Sequence, residues 1–137
     1  MICFFDTNIL VYAIDAGDPA RQAKAIDRFE RACVSDTVAL STQVLQEFYS
    51  IVTRKLRPPL SPREAARQVK HLSAFRIAGA TAHSIQDAMA LAQKHRLQWW
   101  DALILEAALR LGADLLVSQD GQHGQRFGKL VVENPFL

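Results

Sequence analysis

ICFFDTNIL, residues 2–10, runs an apolar segment straight into a carboxylate, a hydroxyl and an amide. Ile2 to Phe5 is short, apolar and rich in strand formers, so it reads as a buried strand. Asp6, Thr7 and Asn8 stand where that strand ends, before Ile9, Leu10 and Val11 resume the apolar pattern. In open parallel sheets, the carboxyl ends of the strands are where ligands bind. The question for the rest of the chain is what the Asp6 charge meets there.

Downstream, apolar strands alternate with amphipathic helices. Asp18-Pro19 gives an N-cap with proline at the first helical position. The helix it opens runs to about Cys33, with Ala23, Ile26, Phe29 and Ala32 or Cys33 at helical spacing. Val38 to Ser41 is a second strand. Val44, Leu45, Phe48, Ile51 and Val52 then form the stripe of a helix from about Gln43 to Lys55, which Pro58-Pro59 ends. Ser61-Pro62-Arg63-Glu64 is a capping box that starts a helix to about Ala74. Phe75 to Ala78 reads as a short strand, and about His83 to His95 as a helix. Asp101 to Leu111 forms a helix closed by Gly112. Asp114 to Ser118 is a strand, Gly121 and Gly124 mark a loop, and Leu130 to Val132 is the last strand. This order predicts an α/β fold with a central, mainly parallel sheet flanked by helices. The length of 137 residues suits one domain, 1–137.

Half the residues are hydrophobic and 22% are charged, which excludes a disordered chain. The apolar share leaves surface for a partner. The net charge of +2 neither establishes nor opposes nucleic-acid binding. Cys3 and Cys33 lie in apolar sequence without framework spacing, which fits a reducing compartment. No basic segment precedes the first apolar run, Asp6 cuts that run short, and no run approaches membrane-spanning length. The expectation is a soluble cytoplasmic protein with no membrane partner.

Three more carboxylates belong with Asp6. Asp120 lies just beyond the strand at 114–118, at the same sheet edge. Glu47 falls beside Val44 and Ile51 on the border of its helix's apolar stripe, where a carboxylate needs a partner. Asp101 opens its helix, where an acid suits the helix dipole. Each has an ordinary reading: Asp6 as an N-cap or Asx-turn, Glu47 as a partner of Arg54 or Lys55, Asp101 as a first-turn acid, Asp120 as a turn residue. Their convergence is what those separate readings leave unexplained. Four carboxylates in one cleft raise each other's pKa values unless a cation neutralises them. All-oxygen donors select Mg²⁺ or Mn²⁺ over zinc, and such ions at a strand edge suit phosphodiester hydrolysis.

The segments FDTNILVYAID, VLQEFY, LQWWDALILEAAL and LLVSQDGQHGQRFGKLVVENPF, in this order, resemble a PIN-domain ribonuclease, specifically a VapC-type toxin of a bacterial toxin–antitoxin pair. The resemblance covers the whole chain and implies a three-layer, PIN-like fold. It implies that Asp6, Glu47, Asp101 and Asp120 hold one or two Mg²⁺ or Mn²⁺ ions for cleaving single-stranded RNA. Asn8 and Ser118 would orient a carboxylate or a metal-bound water, and Thr7 would assist at Asp6. A homodimer and a cognate antitoxin are implied likewise. Two departures stand out. Gln98 occupies a position where many relatives cap the Asp101 helix with serine, and Ser118 replaces a frequent threonine while keeping the hydroxyl.

Arg54, Lys55, Arg57, Arg63, Arg67 and Lys70 gather around the two-proline turn. They suit RNA phosphates, a solvated face, or a contact with the antitoxin or dimer mate. Trp99 and Trp100 could stack on unpaired bases, but core or dimer packing is the better reading, since adjacent tryptophans at a helix start usually have one ring buried. Glu106 and Arg110 read as a surface ion pair, and His123 as a turn residue. Two rival functions differ in their requirements. A phosphatase with Asp6 as nucleophile wants a second aspartate two residues on, where Asn8 stands. A non-enzymatic module that only pairs with an antitoxin would not need all four acids.

Overall fold

The computed structural model describes residues 1–137. Ile2–Phe5 form β1, and Asp6 then N-caps a two-turn helix, α1 (Thr7–Ile14). This helix differs from the sequence expectation, which gave the segment no element. Its eight residues are nearly all apolar and include β-branched Ile9, Val11 and Ile14, so neither periodicity nor propensity marks it. Then follow α2 (Pro19–Ser35), β2 (Thr37–Ser41), α3 (Thr42–Arg54), α4 (Pro62–Leu72), β3 (Arg76–Ala78), α5 (Ala82–His95) and α6 (Trp99–Arg110). The chain ends with β4 (Leu115–Val117), β5 (Arg126–Phe127) and β6 (Leu130–Glu133). Asp18 and Ser61 accept from first-turn amides and Gly112 takes φ +71° just past α6, as the sequence implies, while α5 gains an N-cap at Thr81 that the sequence reading did not name.

One sheet carries all six strands in the order β3-β2-β1-β4-β6-β5, parallel throughout except for the β5–β6 hairpin. β5 is the second unforeseen element; at two residues it is too short to leave a sequence pattern. From β1 the chain steps outward to β2 and β3, then returns across the sheet to β4. Parallel crossovers are right-handed, so reversing direction moves the connecting helices to the other face. The helices accordingly form two packed groups: α1 with α2 and α3, α3 with α4, and separately α5 with α6. β2 touches α2 and α3 of the first group and α6 of the second, and its last four residues are buried. The three layers implied by the resemblance are present.

A hydrophobic cluster of 26 buried residues fills the space between the layers, with Phe4, Phe5, Phe48, Leu40 and Leu130 among its largest members. Burying one such side chain contributes about 1.5–3 kcal/mol. Phe5, Phe29 and Phe75 stack edge to face at 5.1 and 5.6 Å, joining β1, α2 and the approach to β3. The inward face of α2 keeps Ala32 and half-buried Phe29 as expected but differs otherwise: Ala25 and Arg28 are buried, while Ala23, Ile26 and Cys33 are exposed. Arg28 can turn inward because Glu133 of β6 receives both its Nε and its Nη2. The thiol environments differ too, since only Cys3 is buried. Glu106 is also buried, at 7% exposure, so its pair with Arg110 is half-sunk between α5 and α6 and not a surface pair. No helix is long and apolar enough to cross a membrane.

Candidate active site

The reversal of direction falls between β1 and β4, the crevice where open α/β sheets bind ligands. Phe5 and Val117 are the last register pair of these strands, and the Asp6 amide still donates to the Val117 carbonyl at 3.0 Å. The next residues, Asp6 and Ser118, therefore lie side by side, and the Ser118 hydroxyl donates to Asp6 Oδ2 at 2.8 Å. The same hydroxyl oxygen accepts the Asp120 amide at 3.1 Å. One serine thus sets both strand-end acids.

Glu47 arrives from α3 on one face of the sheet and Asp101 from α6 on the other. Asp6, Glu47, Asp101 and Asp120 line one cleft of about 430 Å³, together with Asn8, Gln43, Lys55 and Trp100. Asp6, Asp101, Ser118 and Asp120 also border a smaller hollow of about 60 Å³ against Leu105 and Leu116. Asp101 lies in the first turn of α6, which begins at Trp99, two residues earlier than the start that the sequence suggests. Gln98 stands at the N-cap and gives no side-chain hydrogen bond, the weak cap expected for glutamine there.

Three of the acids are held by neighbours. Asp6 Oδ1 accepts the Thr7 amide at 2.7 Å, and the Thr7 hydroxyl donates to Glu47 Oε2 at 3.0 Å. Asn8 Nδ2 donates to Asp120 Oδ2 at 2.9 Å. Glu47 Oε1 accepts Gln43 Nε2 at 2.6 Å, and the same amide group reaches the Trp100 carbonyl at 3.4 Å. Gln43 is the residue that sequence reasoning missed. Its signal was its position four residues before Glu47, where helical side chains meet. Glu47 pairs with neither Arg54 nor Lys55. Of the three basic candidates, Lys55 lines the cleft, Arg54 is exposed, and Arg57 gives its guanidinium to the Arg54 and Leu56 carbonyls.

The electrostatics are those of crowded acids. Asp6 is 8% exposed, and burial pushes its carboxyl up to about 6 against the Ser118 and Thr7 hydrogen bonds, with Asp120 and Glu47 adding repulsion. Asp101 is raised as well, first by desolvation, then by repulsion from Asp120 and Glu47. Its carboxyl draws no hydrogen bond to offset this.

An oxygen-only donor set with unrelieved mutual repulsion fits a hard divalent cation in chemistry. No three of the side chains are arranged around a common point as ligands, because Asp6, Glu47 and Asp120 are turned toward protein donors. Closing around an ion would exchange some of those hydrogen bonds for metal contacts. Trp99 is half-buried and Trp100 exposed, and His123 Nδ1 accepts the Asn134 amide in the last loop.

Three solved structures share this fold. A toxin–antitoxin complex from Klebsiella pneumoniae matches with a TM-score of 0.71 and 22% identity over 97% of both chains. VapBC2 from Rickettsia felis, bound to a DNA fragment from its promoter, matches with 0.69 and 24% over 98% of both. VapC20 from Mycobacterium tuberculosis, described as a sarcin–ricin loop cleaving toxin, matches with 0.66 and 23%, covering 88% of this chain and 91% of that one. No curated protein sequence matches the chain. The family model described as PIN domain matches residues 3–127, nearly the whole length, and the chain belongs to the PIN domain family.

Proposed function

We propose that the chain is an endoribonuclease that hydrolyses RNA phosphodiesters in this cleft with Mg²⁺ or Mn²⁺, and that it is the toxin of a toxin–antitoxin pair. The observation that carries this reading is the meeting of four acids, from two strand ends and two helices, in one cleft at the sheet's reversal point. Asp6, Glu47, Asp101 and Asp120 would hold the ion. When bound, it supplies a polarised phosphate, a more acidic water and charge stabilisation of the leaving oxygen.

The chain's own groups have distinct tasks. Ser118 fixes Asp6 and the Asp120 backbone, Asn8 orients Asp120, and Thr7 with Gln43 aims Glu47. These are neutral donors, so they position the carboxylates without cancelling the charge that a cation needs. Lys55 supplies positive charge at the cleft wall for an RNA phosphate, with Arg54 and Arg57 nearby on the same turn. The antitoxin partner is supported by the toxin–antitoxin complexes among the structural neighbours. The homodimer follows from the family resemblance.

A phosphatase using Asp6 as nucleophile is disfavoured, because Asn8 hydrogen-bonds Asp120 and brings no second acid. The test is incubation of the purified chain with total cellular RNA. Cleavage at defined sites is expected with Mg²⁺ or Mn²⁺, and its loss with excess EDTA and in Asp6→Asn. Undiminished cleavage in EDTA or in that variant would overturn the mechanism. A folded chain that leaves RNA intact and takes up no Mn²⁺ would favour an antitoxin-pairing module.

A further inference from the structure

Trp100 is 64% exposed, yet it lies on the wall of the cleft that holds the four acids, one residue from Asp101. A large apolar ring left in water beside a charged cleft gains by covering itself. Its neighbour Trp99 takes the packing role, being half-buried at the start of α6. The Trp100 backbone is held in turn, since Gln43 reaches its carbonyl at 3.4 Å while also bonding Glu47. Lys55 lines the same cleft from the end of α3.

We infer that Trp100 is a stacking platform for an unpaired base and Lys55 a contact for an RNA phosphate, so that the cleft takes single-stranded nucleotides beside the scissile bond. This rests on the endoribonuclease reading above and assigns to one residue of this chain the contact that grips the strand. Every base has a π-face, so an indole here grips a strand whose bases are splayed out and has nothing to stack on inside a duplex. The carboxylates repel the backbone. A cation and a ring on the wall offer the compensating attraction without occupying the acids. Stacking on an exposed ring discriminates by strandedness more than by base identity.

The test measures binding in an Asp6→Asn background with Mg²⁺ present, so that the RNA is not cut. Fluorescein-labelled oligouridylate is titrated against Asp6→Asn, Asp6→Asn/Trp100→Ala and Asp6→Asn/Trp100→Phe, with an RNA duplex of equal length as comparison. The alanine variant should bind the single strand about tenfold more weakly, the order of one base–aromatic stack. The phenylalanine variant should stay within a few-fold, and duplex binding should not respond to either. Equal single-strand affinity in all three proteins overturns the inference, as does a loss that phenylalanine fails to rescue. A changed sedimentation mass in the alanine variant with unchanged RNA affinity also overturns it, assigning the ring to a protein contact. Total-RNA cleavage by the chain with Asp6 intact is followed in parallel. Cleavage with Trp100-independent binding sinks only the stacking platform, whereas no cleavage sinks the nuclease reading beneath it.

Discussion

Asp6 is a carboxylate kept where its charge is disfavoured. Its folded pKa of about 6 stands above the ordinary 3.8, so the native state binds a proton that the unfolded chain has already released. Stability is therefore unaffected below about pH 4, falls as pH rises through this window, and is lower by up to about 3 kcal/mol above it in the metal-free protein. Asp6→Asn should then melt at higher temperature than the native chain at pH 7 without divalent metal, and the advantage should vanish near pH 4. The amide can still accept the Thr7 N–H and donate to Ser118, whose hydroxyl hydrogen is free to turn. Saturating Mn²⁺ should narrow the gap by stabilising only the native chain, by about 2.7 kcal/mol at a hundred times its Kd. Thermal melts across pH, with and without Mn²⁺, read all three outcomes. At this scale the sequence was informative about the acids, because strand ends and a stripe border are positions that periodicity exposes. It said little about Gln43, since a glutamine four residues before a glutamate has no distinctive pattern until its carboxylate proves to be functional.

Among the elements, α6 is the one whose sequence leaves stability unclaimed. It presents Trp99 and Asp101 in its first turn, but Gln98 at the N-cap leaves the first amides without a side-chain acceptor. The N-cap backbone is already extended, with φ −64° and ψ 149°, so serine fits without strain. Gln98→Ser should stabilise the protein by about 1 kcal/mol while leaving RNA cleavage unchanged. Urea unfolding monitored by circular dichroism checks the first part. No gain would mean that the first-turn amides are already satisfied by solvent. Capped, amphipathic helices such as α4 were legible to within about two residues. The elements that escaped, α1 and β5, are short, and α1 is also apolar on every side. Tertiary contacts decide such segments: α1 packs on both α2 and α3, and β5 exists only as a hairpin arm of β6.

Across the whole molecule, the parallel order and the reversal between β1 and β4 make the site, because they bring residues 6 and 118 together from opposite ends of the chain. The fold class was legible from the alternation of strands and helices, whereas the closing contacts were not. Arg28 is the clearest case: a basic residue on a surface helix reads as solvated, yet it is 6% exposed and anchors α2 to β6 through Glu133. Arg28→Ala should cost roughly 3 kcal/mol, since it strands a partly buried carboxylate. A chemical denaturation midpoint within error of the native one would contradict that. The central claim is that four carboxylates meet to hold a cation, and Asp101 tests it most cleanly because no hydrogen bond ties its carboxyl to the protein. The decisive measurement is calorimetric titration of Mn²⁺ into the native chain and Asp101→Asn at pH 7. Binding by the native chain, at least about tenfold weaker in the variant, is the predicted result. No binding by the folded native chain, or the same affinity in both, would contradict the account.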